Sequence, residues 1–399
     1  MGATEVIAFF RKQFGFSPTY TVQAPGRLEL LGNHTDYNQG LVLALAVDKH
    51  IYMASSPRSD GKIELTSTAF PKHEIFSVNK LEKNPEAPWA DYVKGVVDQL
   101  RKRGVHTRGF NAAIHADIPM GAGMSSSAAL EVASALTLRH LSPYTLTATG
   151  LATPPVRDES GELPDLKLSE KLEMAKLCQA AENQFVGVQC GLLDQVSSLY
   201  GKAFHAIELD CQSNTVEHVP MLGEVAVVVA NTGVKHELVG GEYNALRVSC
   251  ESAAKKLSAK SLRSVDPKYL AANKEKLSER EYQCAYHVVG EIQRVVFGSR
   301  ALRDGDFSQF GHLMFQSHES SRDFFKNSTP ELDALVDAAR ELKGCFGARL
   351  TGGGFGGATI NLVHRANVDA FIEGLTQGYK RRTGKETKPM RCEIDDGAK

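Results

Sequence analysis

Residues 119–129 read Pro-Met-Gly-Ala-Gly-Met-Ser-Ser-Ser-Ala-Ala, a glycine and serine loop that leads into an alanine-rich segment. The segment from Ser127 to His140 is rich in Ala and Leu and lacks Pro and Gly, which predicts a helix directly after the loop. Such a turn aims several backbone N–H groups and a helix N-terminus at one point, and this suits a phosphate. Glycine and serine would also serve an ordinary turn and helix cap, but three consecutive serines are more than a cap requires.

A second segment carries an unusual density of polar side chains. Residues 26–37 read Gly-Arg-Leu-Glu-Leu-Leu-Gly-Asn-His-Thr-Asp-Tyr. The chain contains no Gly-x-x-x-x-Gly-Lys-Ser/Thr loop, so an anion at residues 119–129 must be held mainly by backbone amides and the helix dipole. A phosphate cradle beside a polar pocket indicates phosphoryl transfer to a small polyol.

Length, charge and cysteine content narrow the class of protein. The 399 residues favour two domains, and we expect them to span 1–215 and 216–399. A net charge of −1 gives no reason to expect nucleic acid or an anionic membrane as a partner. No apolar run is long enough to span a membrane, and the N-terminus lacks an export signal. Seven scattered cysteines without a Cys-x-x-Cys pair favour reduced thiols in the cytoplasm.

Three more motifs follow the first two in the chain. They are 181–187 (Ala-Glu-Asn-Gln-Phe-Val-Gly) with 190–195 (Cys-Gly-Leu-Leu-Asp-Gln), 241–244 (Gly-Glu-Tyr-Asn) and 350–357 (Leu-Thr-Gly-Gly-Gly-Phe-Gly-Gly). All five, in this order, resemble the signature motifs of the GHMP small-molecule kinases, and of galactokinases in particular. The resemblance implies a two-domain α+β fold, with a ribosomal-S5-domain-2-like N-terminal domain, a ferredoxin-like C-terminal domain and an active site in the cleft between them.

The resemblance also implies a reaction and its residues. ATP would phosphorylate the anomeric C1 hydroxyl of α-D-galactose, with Mg²⁺ as cofactor, Asp194 as proton acceptor and Arg27 as the group that stabilises charge. Ser127 and Glu182 would bind the Mg²⁺ ion, which takes few protein oxygens and keeps phosphates and water. The loop residues expected to bind ATP are Gly121, Ala122, Gly123, Met124, Ser125, Ser126 and Ser127.

The sugar-binding residues are likewise implied by the resemblance. They are Glu29, Asn33, His34, Thr35, Asp36, Gly191 and Tyr243. The carboxylate of Asp36 can accept hydrogen bonds from two adjacent sugar hydroxyls, and each such charged bond is worth roughly 1.5–3 kcal/mol.

Two positions depart from the family motif. Galactokinases usually carry Asn where this chain has Glu29, and Glu where it has Asn33. In one hypothesis Glu29 reaches into the pocket, restores the lost contact, and galactose remains the substrate. In the other, the pocket is adapted to a sugar that differs at carbon 6. Other substrates under this resemblance are galacturonate, N-acetylgalactosamine and arabinose, although the motif gains no Arg or Lys that could pair with a uronate.

Two functions from other classes remain as alternatives. The glycine-rich stretch 352–357 formally matches Gly-x-Gly-x-x-Gly, but a strand pattern follows it where a dinucleotide-binding fold requires a helix. We therefore reject an NAD-dependent oxidoreductase. A sugar and ATP sensor without turnover could dispense with Arg27 or Asp194, and both are present. We expect a monomer, and we expect residues 141–166, rich in Ser, Pro, Thr and Gly, to form an ordered insertion or a mobile loop.

Overall fold

The computed structural model describes residues 2–119, 123–155, 163–234 and 239–399. The strands are β1 (Tyr20–Leu31), β2 (Leu41–Arg58), β3 (Lys62–Ser67), β4 (Phe70–Ser77), β5 (Gly109–Ala116), β6 (Thr145–Leu146), β7 (Ala152–Thr153), β8 (His205–Asp210), β9 (Thr215–Pro220), β10 (Val225–Asn231), β11 (Cys345–Thr351), β12 (Ala358–His364) and β13 (Met390–Cys392). The helices are α1 (Gly2–Phe14), α2 (Ala90–Lys102), α3 (Ser126–Leu141), α4 (Leu168–Ala180), α5 (Leu193–Tyr200), α6 (Val239–Lys256), α7 (Pro267–Ala272), α8 (Glu279–Arg303), α9 (Phe307–Ser320), α10 (Pro330–Arg340) and α11 (Val368–Thr383).

The first sheet is organised around the long strand β2. Its order is β4-β3-β5-β2-β8-β9, and β1 also pairs with β2. β2 is buried along nearly its whole length because helices cover both faces of the sheet. Helix α1 covers one face through Val6 and Phe10, which pack against Tyr52, Ala54 and Ala113. Helices α3 and α5 pack against β1 and β2, so the glycine-serine loop before α3 and Asp194 in α5 both lie beside Arg27 of β1.

The second sheet has the order β11-β12-β10-β13, and helices α9, α10 and α11 pack against it. Helices α6, α7 and α8 form a further cluster with its own apolar core around Cys250, Ala285 and Phe325. The chain passes from the first sheet to the second between Pro220 and Val225. The division at 215/216 stays a prediction, and the last residues return to the first sheet, where the backbones of Lys399 and Gln23 pair.

The two sheets share one apolar core, which contains Leu28 and Leu43 from the first sheet and Val227 and Ile360 from the second. The prediction of an α+β fold is confirmed. The predicted helix at 127–140 is confirmed as α3, and the strand that follows the glycine-rich turn is confirmed as β12.

The segment 141–166 contains the short hairpin β6–β7. Residues 156–162 of that segment and the predicted ATP-binding residues Gly121 and Ala122 lie outside the described residues. In the described ranges, no helix combines the length and the apolar character that crossing a membrane requires.

Candidate active site

A cavity of about 380 Å³ lies between the two sheets. The first sheet and its helices contribute Arg27, Glu29, Asn33, His34, Asp36, Glu182, Gly187, Val188, Gln189, Cys190, Gly191, Leu193 and Asp194, and the second part of the chain contributes Tyr243, Asn244, Gly352 and Gly353. Most of the residues that the sequence analysis assigns to sugar and catalysis therefore share one cavity. Its size suits a monosaccharide with part of a second ligand.

Arg27 and Asp194 form an ion pair on the wall of this cavity. Nε of Arg27 lies 2.7 Å from Oδ1 of Asp194, at the start of α5. Burial acts to lower the pKa of Arg27, but the nearby carboxylates of Asp194 and Glu29 offset this and hold the pKa above its ordinary value. The guanidinium therefore stays charged beside Asp194.

The glycine-serine loop is fixed to the same two residues. Nη1 of Arg27 donates a hydrogen bond to the carbonyl oxygen of Gly123, and the hydroxyl of Ser125 donates one to Oδ2 of Asp194. Ser125 has φ of 52° and Gly123 has φ of 66°, so the backbone turns sharply just before α3 begins. A β-carbon at Gly26 would stand 2.7 Å from the carbonyl oxygen of Met124, which explains why β1 carries glycine there. Hydrogen bonds therefore join the loop directly to the Arg27–Asp194 ion pair.

Glu182 lies in a short π-helical segment, Ala181–Val186, that continues α4. Such segments are frequent at functional sites because they displace side chains from the helical register. The Ser127 hydroxyl bonds to Glu182, and Gln195 donates from Nε2 to both Glu182 and Glu131 at 3.0 Å. Burial, together with the charge of Asp194, raises the pKa of Glu182 to about 7. Burial likewise raises the pKa of Glu131 well above its usual range.

These groups fit a divalent cation. The raised pKa of Glu182 reflects carboxylates crowded together in a buried place, and a cation beside them would favour their ionised forms. Oxygen donors from one carboxylate and one hydroxyl match the few protein ligands that Mg²⁺ takes. In the described part of the chain, no cluster of three or more His, Cys, Asp or Glu forms a cage for a metal. A cation here would therefore depend on substrate oxygens and water as well.

Asp36 also lines this cavity. Its Oδ1 accepts a hydrogen bond from the backbone N–H of Tyr37. A β-carbon at Gly191 would overlap Oδ2 of Asp36, so the carboxylate occupies the space that glycine leaves. Burial raises the pKa of Asp36 to about 6. The carboxylate is thus costly to ionise when the pocket holds only the protein, and a ligand with several hydroxyl donors would offset that cost.

His34 joins the polar loop to the glycine-rich turn. Nε2 of His34 lies 3.0 Å from the carbonyl oxygen of Gly353, and Nδ1 lies 2.8 Å from the hydroxyl of Tyr37. A carbonyl can only accept, so Nε2 carries the proton and Nδ1 accepts from Tyr37. Burial lowers the pKa of His34 to about 4, which keeps the ring neutral. The ring of Tyr243 lies 4.9 Å from the His34 ring, so Tyr243 reaches the cavity from α6.

Glu29 and Asn33, the two exchanged positions, contact one another directly. Nδ2 of Asn33 donates to Oε1 of Glu29 at 3.0 Å and to the carbonyl oxygen of Gly352 at 2.8 Å. Its Oδ1 accepts from Asn327 at 2.8 Å. Arg349 donates to the same Oε1 of Glu29 at 2.9 Å. The amide of Asn33 is therefore fully engaged by the protein, whereas Oε2 of Glu29 has no hydrogen-bond partner among the described residues.

Thr35 differs from its neighbours because it lies beneath the loop. It is fully buried, and its hydroxyl contacts the carbonyl oxygens of Gly32 and Leu41. The structure places it among backbone groups and does not place it on the cavity wall. Its predicted contact with sugar stays a prediction.

Sequence reasoning missed the residues that hold the site from the second part of the chain. Arg349 pairs with Glu29, Asn327 bonds to Asn33, and Glu291 on α8 accepts hydrogen bonds from the backbone N–H groups of Gly32 and Asn33. One signal was available: a single arginine in the apolar strand β11 must be paired if that strand is buried. Nothing in the local sequence identifies its partner, which is 320 positions away.

Comparisons with known proteins agree with this geometry. The galactokinase galactose-binding signature matches residues 8–57, the GHMP kinase N-terminal domain matches 91–154, and the GHMP kinase C-terminal domain matches 299–381. The chain is 39% identical to a galactokinase of Chloroflexus aurantiacus over 98% of this chain and 95% of that protein. It is 40% identical to a human galactokinase over 93% of this chain and 90% of that protein.

A solved structure gives the same answer. The crystal structure of Lactococcus lactis galactokinase complexed with galactose superposes with a TM-score of 0.88, at 31% identity and with 98% of each chain covered. The motif order, the cavity and these full-length similarities lead to one conclusion: this chain belongs to the galactokinase family of GHMP kinases and is a sugar kinase.

Proposed function

We propose that this protein transfers the γ-phosphoryl group of ATP to the anomeric C1 hydroxyl of α-D-galactose and releases galactose 1-phosphate and ADP. The observation that carries this proposal is the Arg27–Asp194 ion pair, which is joined to the glycine-serine loop and faces a cavity lined with sugar-type hydrogen-bonding groups. A carboxylate, a guanidinium and a phosphate-binding turn within one small space are the elements that phosphoryl transfer requires.

Each catalytic group has a defined task. Asp194 accepts the proton of the C1 hydroxyl as that oxygen attacks phosphorus. Arg27 pairs with Asp194 and stabilises charge on the transferring phosphoryl group. The hydrogen bond from Ser125 fixes the other oxygen of Asp194, so the carboxylate is held in one orientation.

The loop from Gly121 to Ser127 would hold the phosphates of ATP through backbone N–H groups at the start of α3. Ser127 and Glu182 would hold Mg²⁺, with Gln195 keeping Glu182 in place. When bound, Mg²⁺ supplies positive charge that neutralises the phosphate oxygens during transfer.

The contacts around Glu29 favour galactose over a sugar acid. Oε1 of Glu29 is held by Arg349 and Asn33, and the carboxylate faces the cavity, where it can accept a bond from a neutral sugar hydroxyl. Among the described residues that line the cavity, Arg27 is the only cation, and it pairs with Asp194. A uronate would bring its carboxylate toward Glu29 and Asp36 without a partner.

The intact ion pair also favours an enzyme over a sensor without turnover. The sugar panel that tests both ideas is galactose, galacturonate, N-acetylgalactosamine, 2-deoxygalactose, arabinose and glucose. ADP release with Mg-ATP gives the preference, and phosphorus NMR of the product identifies the phosphorylated carbon. Galactose-dependent release with phosphate on C1 is expected. Preference for another sugar would overturn the galactose assignment, and ATP binding without any sugar-dependent release would favour the sensor.

We further propose that the protein is a cytoplasmic monomer. All seven cysteines lie in the described part of the chain and none forms a disulfide, which is consistent with a reducing compartment. Sedimentation of the purified protein tests the monomeric state directly.

A further inference from the structure

Another cavity, of about 270 Å³, lies between helices α7, α8 and α9. Its walls are mainly apolar and aromatic, formed by Leu270, Tyr282, Tyr286, Phe297 and Leu313. Phe297 and Tyr286 are 56% and 45% exposed, so solutes can reach the cavity. Large exposed aromatic rings around a pocket are typical of a binding site for a small apolar group.

One cationic group lies in this apolar cavity. Arg294 lines it, and Nε of Arg294 donates to Oε1 of Glu291 at 2.5 Å. Its Nη2 is buried and has no hydrogen-bond partner among the described residues. The guanidinium therefore has hydrogen-bonding capacity that Glu291 does not use, and an anion suits it.

The guanidinium of Arg294 lies against the backbone of α8 at Gly290. Glycine in the middle of a helix is destabilising, yet Gly290 lies inside the 25-residue helix α8. A β-carbon at Gly290 would stand 3.0 Å from Nη2 of Arg294. The guanidinium therefore folds back over the helix at this glycine.

We propose that this cavity binds a small organic anion, namely a carboxylate attached to an aromatic or branched aliphatic body. The carboxylate would pair with the guanidinium of Arg294, and the apolar body would pack against Phe297, Tyr286 and Leu270. The proposal goes beyond the kinase reaction because none of these residues lines the sugar cavity.

The site is connected to the sugar loop through one residue. Glu291 is fully buried, and its Oε2 accepts hydrogen bonds from the backbone N–H groups of Gly32 and Asn33 at 3.0 and 2.9 Å. An anion that binds Arg294 weakens the ion pair between Arg294 and the buried carboxylate of Glu291. The loop that carries Asn33 and Asp36 is then held less firmly, so the ligand should raise the KM for the sugar severalfold and leave kcat nearly unchanged.

Calorimetric titration of the whole protein with phenylacetate tests the binding, with phenylacetamide as a neutral probe of the same shape. Phenylacetate should bind at least tenfold more tightly than the amide. Equal binding, or no binding of phenylacetate at millimolar concentrations, would overturn the proposal. The measurement needs no turnover, so its failure is distinct from failure of the proposed kinase reaction.

Variants locate the site. Arg294→Gln should abolish the preference for the anion, whereas Arg300→Gln, on the same helix and highly exposed, should retain it. Because Arg294→Gln also removes the partner of Glu291, Phe297→Ala provides a variant that leaves the ion pair in place. It should weaken phenylacetate binding severalfold and leave the KM for the sugar without phenylacetate unchanged. Unaltered phenylacetate binding by both Arg294→Gln and Phe297→Ala would place the ligand elsewhere, and an unchanged KM at saturating phenylacetate would refute the connection to the sugar loop.

Discussion

Gly191 and Asp36 occupy one shared space: a β-carbon at position 191 would overlap Oδ2 of the Asp36 carboxylate. The two residues come from different motifs, one before α5 and one after β1. The absence of a side chain at 191 therefore sets the position of the carboxylate that we assign to the sugar hydroxyls.

Gly191→Ala should displace Asp36 and raise the KM for galactose about tenfold or more, because one charged hydrogen bond is worth about 1.4 kcal/mol or more. Initial rates over a range of galactose concentrations measure this. Gly241→Ala is the matched control, since a β-carbon there meets nothing within 4 Å. Similar KM values for both variants would show that Asp36 does not bind the sugar.

Asp194→Asn should lower kcat by about 10²–10⁴, the usual contribution of a general base. The amide keeps the shape of the side chain but cannot accept the proton, and it also weakens the pairing with Arg27. Single-turnover rates with ATP and galactose measure the chemical step, and nucleotide binding by the variant controls for folding. Near-full activity would eliminate Asp194 as the base.

Galactose binding without nucleotide should weaken as the pH falls through about 6. Burial raises the pKa of Asp36 to about 6, so the protonated form gains population below that pH and loses acceptor capacity. The effect on folding has the opposite sign. Because folding raises the pKa of Asp36, this residue contributes its full stability at a pH below its pKa in the unfolded chain, and the contribution is lost as the pH rises through about 6. Titration calorimetry from pH 5 to 8 measures the sugar affinity. Asp36→Asn should bind weakly and without this inflection; an inflection that persists in the variant belongs to another group.

Asn33→Glu should weaken galactose binding and lower the free energy of unfolding by about 1–3 kcal/mol. The new carboxylate would face Oε1 of Glu29 and the carbonyl oxygen of Gly352, where the amide now donates two hydrogen bonds. The double variant Glu29→Asn with Asn33→Glu restores the usual family order and should recover part of the loss. Tighter galactose binding by the single variant would instead support a pocket adapted to a different sugar.

Arg349→Met should destabilise the protein by about 3–5 kcal/mol, because it leaves the carboxylate of Glu29 buried without its cation. Urea unfolding measures this. Adding Glu29→Gln to that variant removes the uncompensated charge and should restore much of the stability. Equal stability of the single and double variants would mean that the uncompensated charge of Glu29 is not what destabilises Arg349→Met.

Local sequence predicted the elements whose signals lie within a few residues. Helix α3 followed from an alanine-rich segment without Gly or Pro. Strand β2 contains an apolar run that begins at Leu41. The apolar run ends near Met53, and Ser55, Ser56 and Pro57 after it resemble a break in the strand. They remain in the strand because β5 pairs with them through Arg58. Strand ends depend on such distant partners.

The residues of the candidate site also fall into two groups, those that local motifs predicted and those that they did not. Motifs predicted Arg27, Asp36 and Asp194, whose chemistry is concentrated in short segments. Arg349 and Glu291 were not predicted, because their importance depends on packing between parts of the chain that lie about 260 to 320 positions from their partners. A charged residue in an apolar element predicts that a partner exists, but only the three-dimensional structure shows which residue that partner is.

The hydrogen bonds of Glu29 and Asn33 to Arg349, Gly352 and Asn327 also limit how the gene can be recombined. Consider a hybrid of residues 1–220 of this chain with the second half of a relative that has the usual motif. Its second half would come from a protein with Asn and Glu at these positions, whereas its first half would carry Glu29 and Asn33. Such hybrids should express well only when positions 29 and 33 are inherited together with the second half. In gene-shuffling experiments, positions 29 and 33 should therefore be taken from the parent that supplies the C-terminal half.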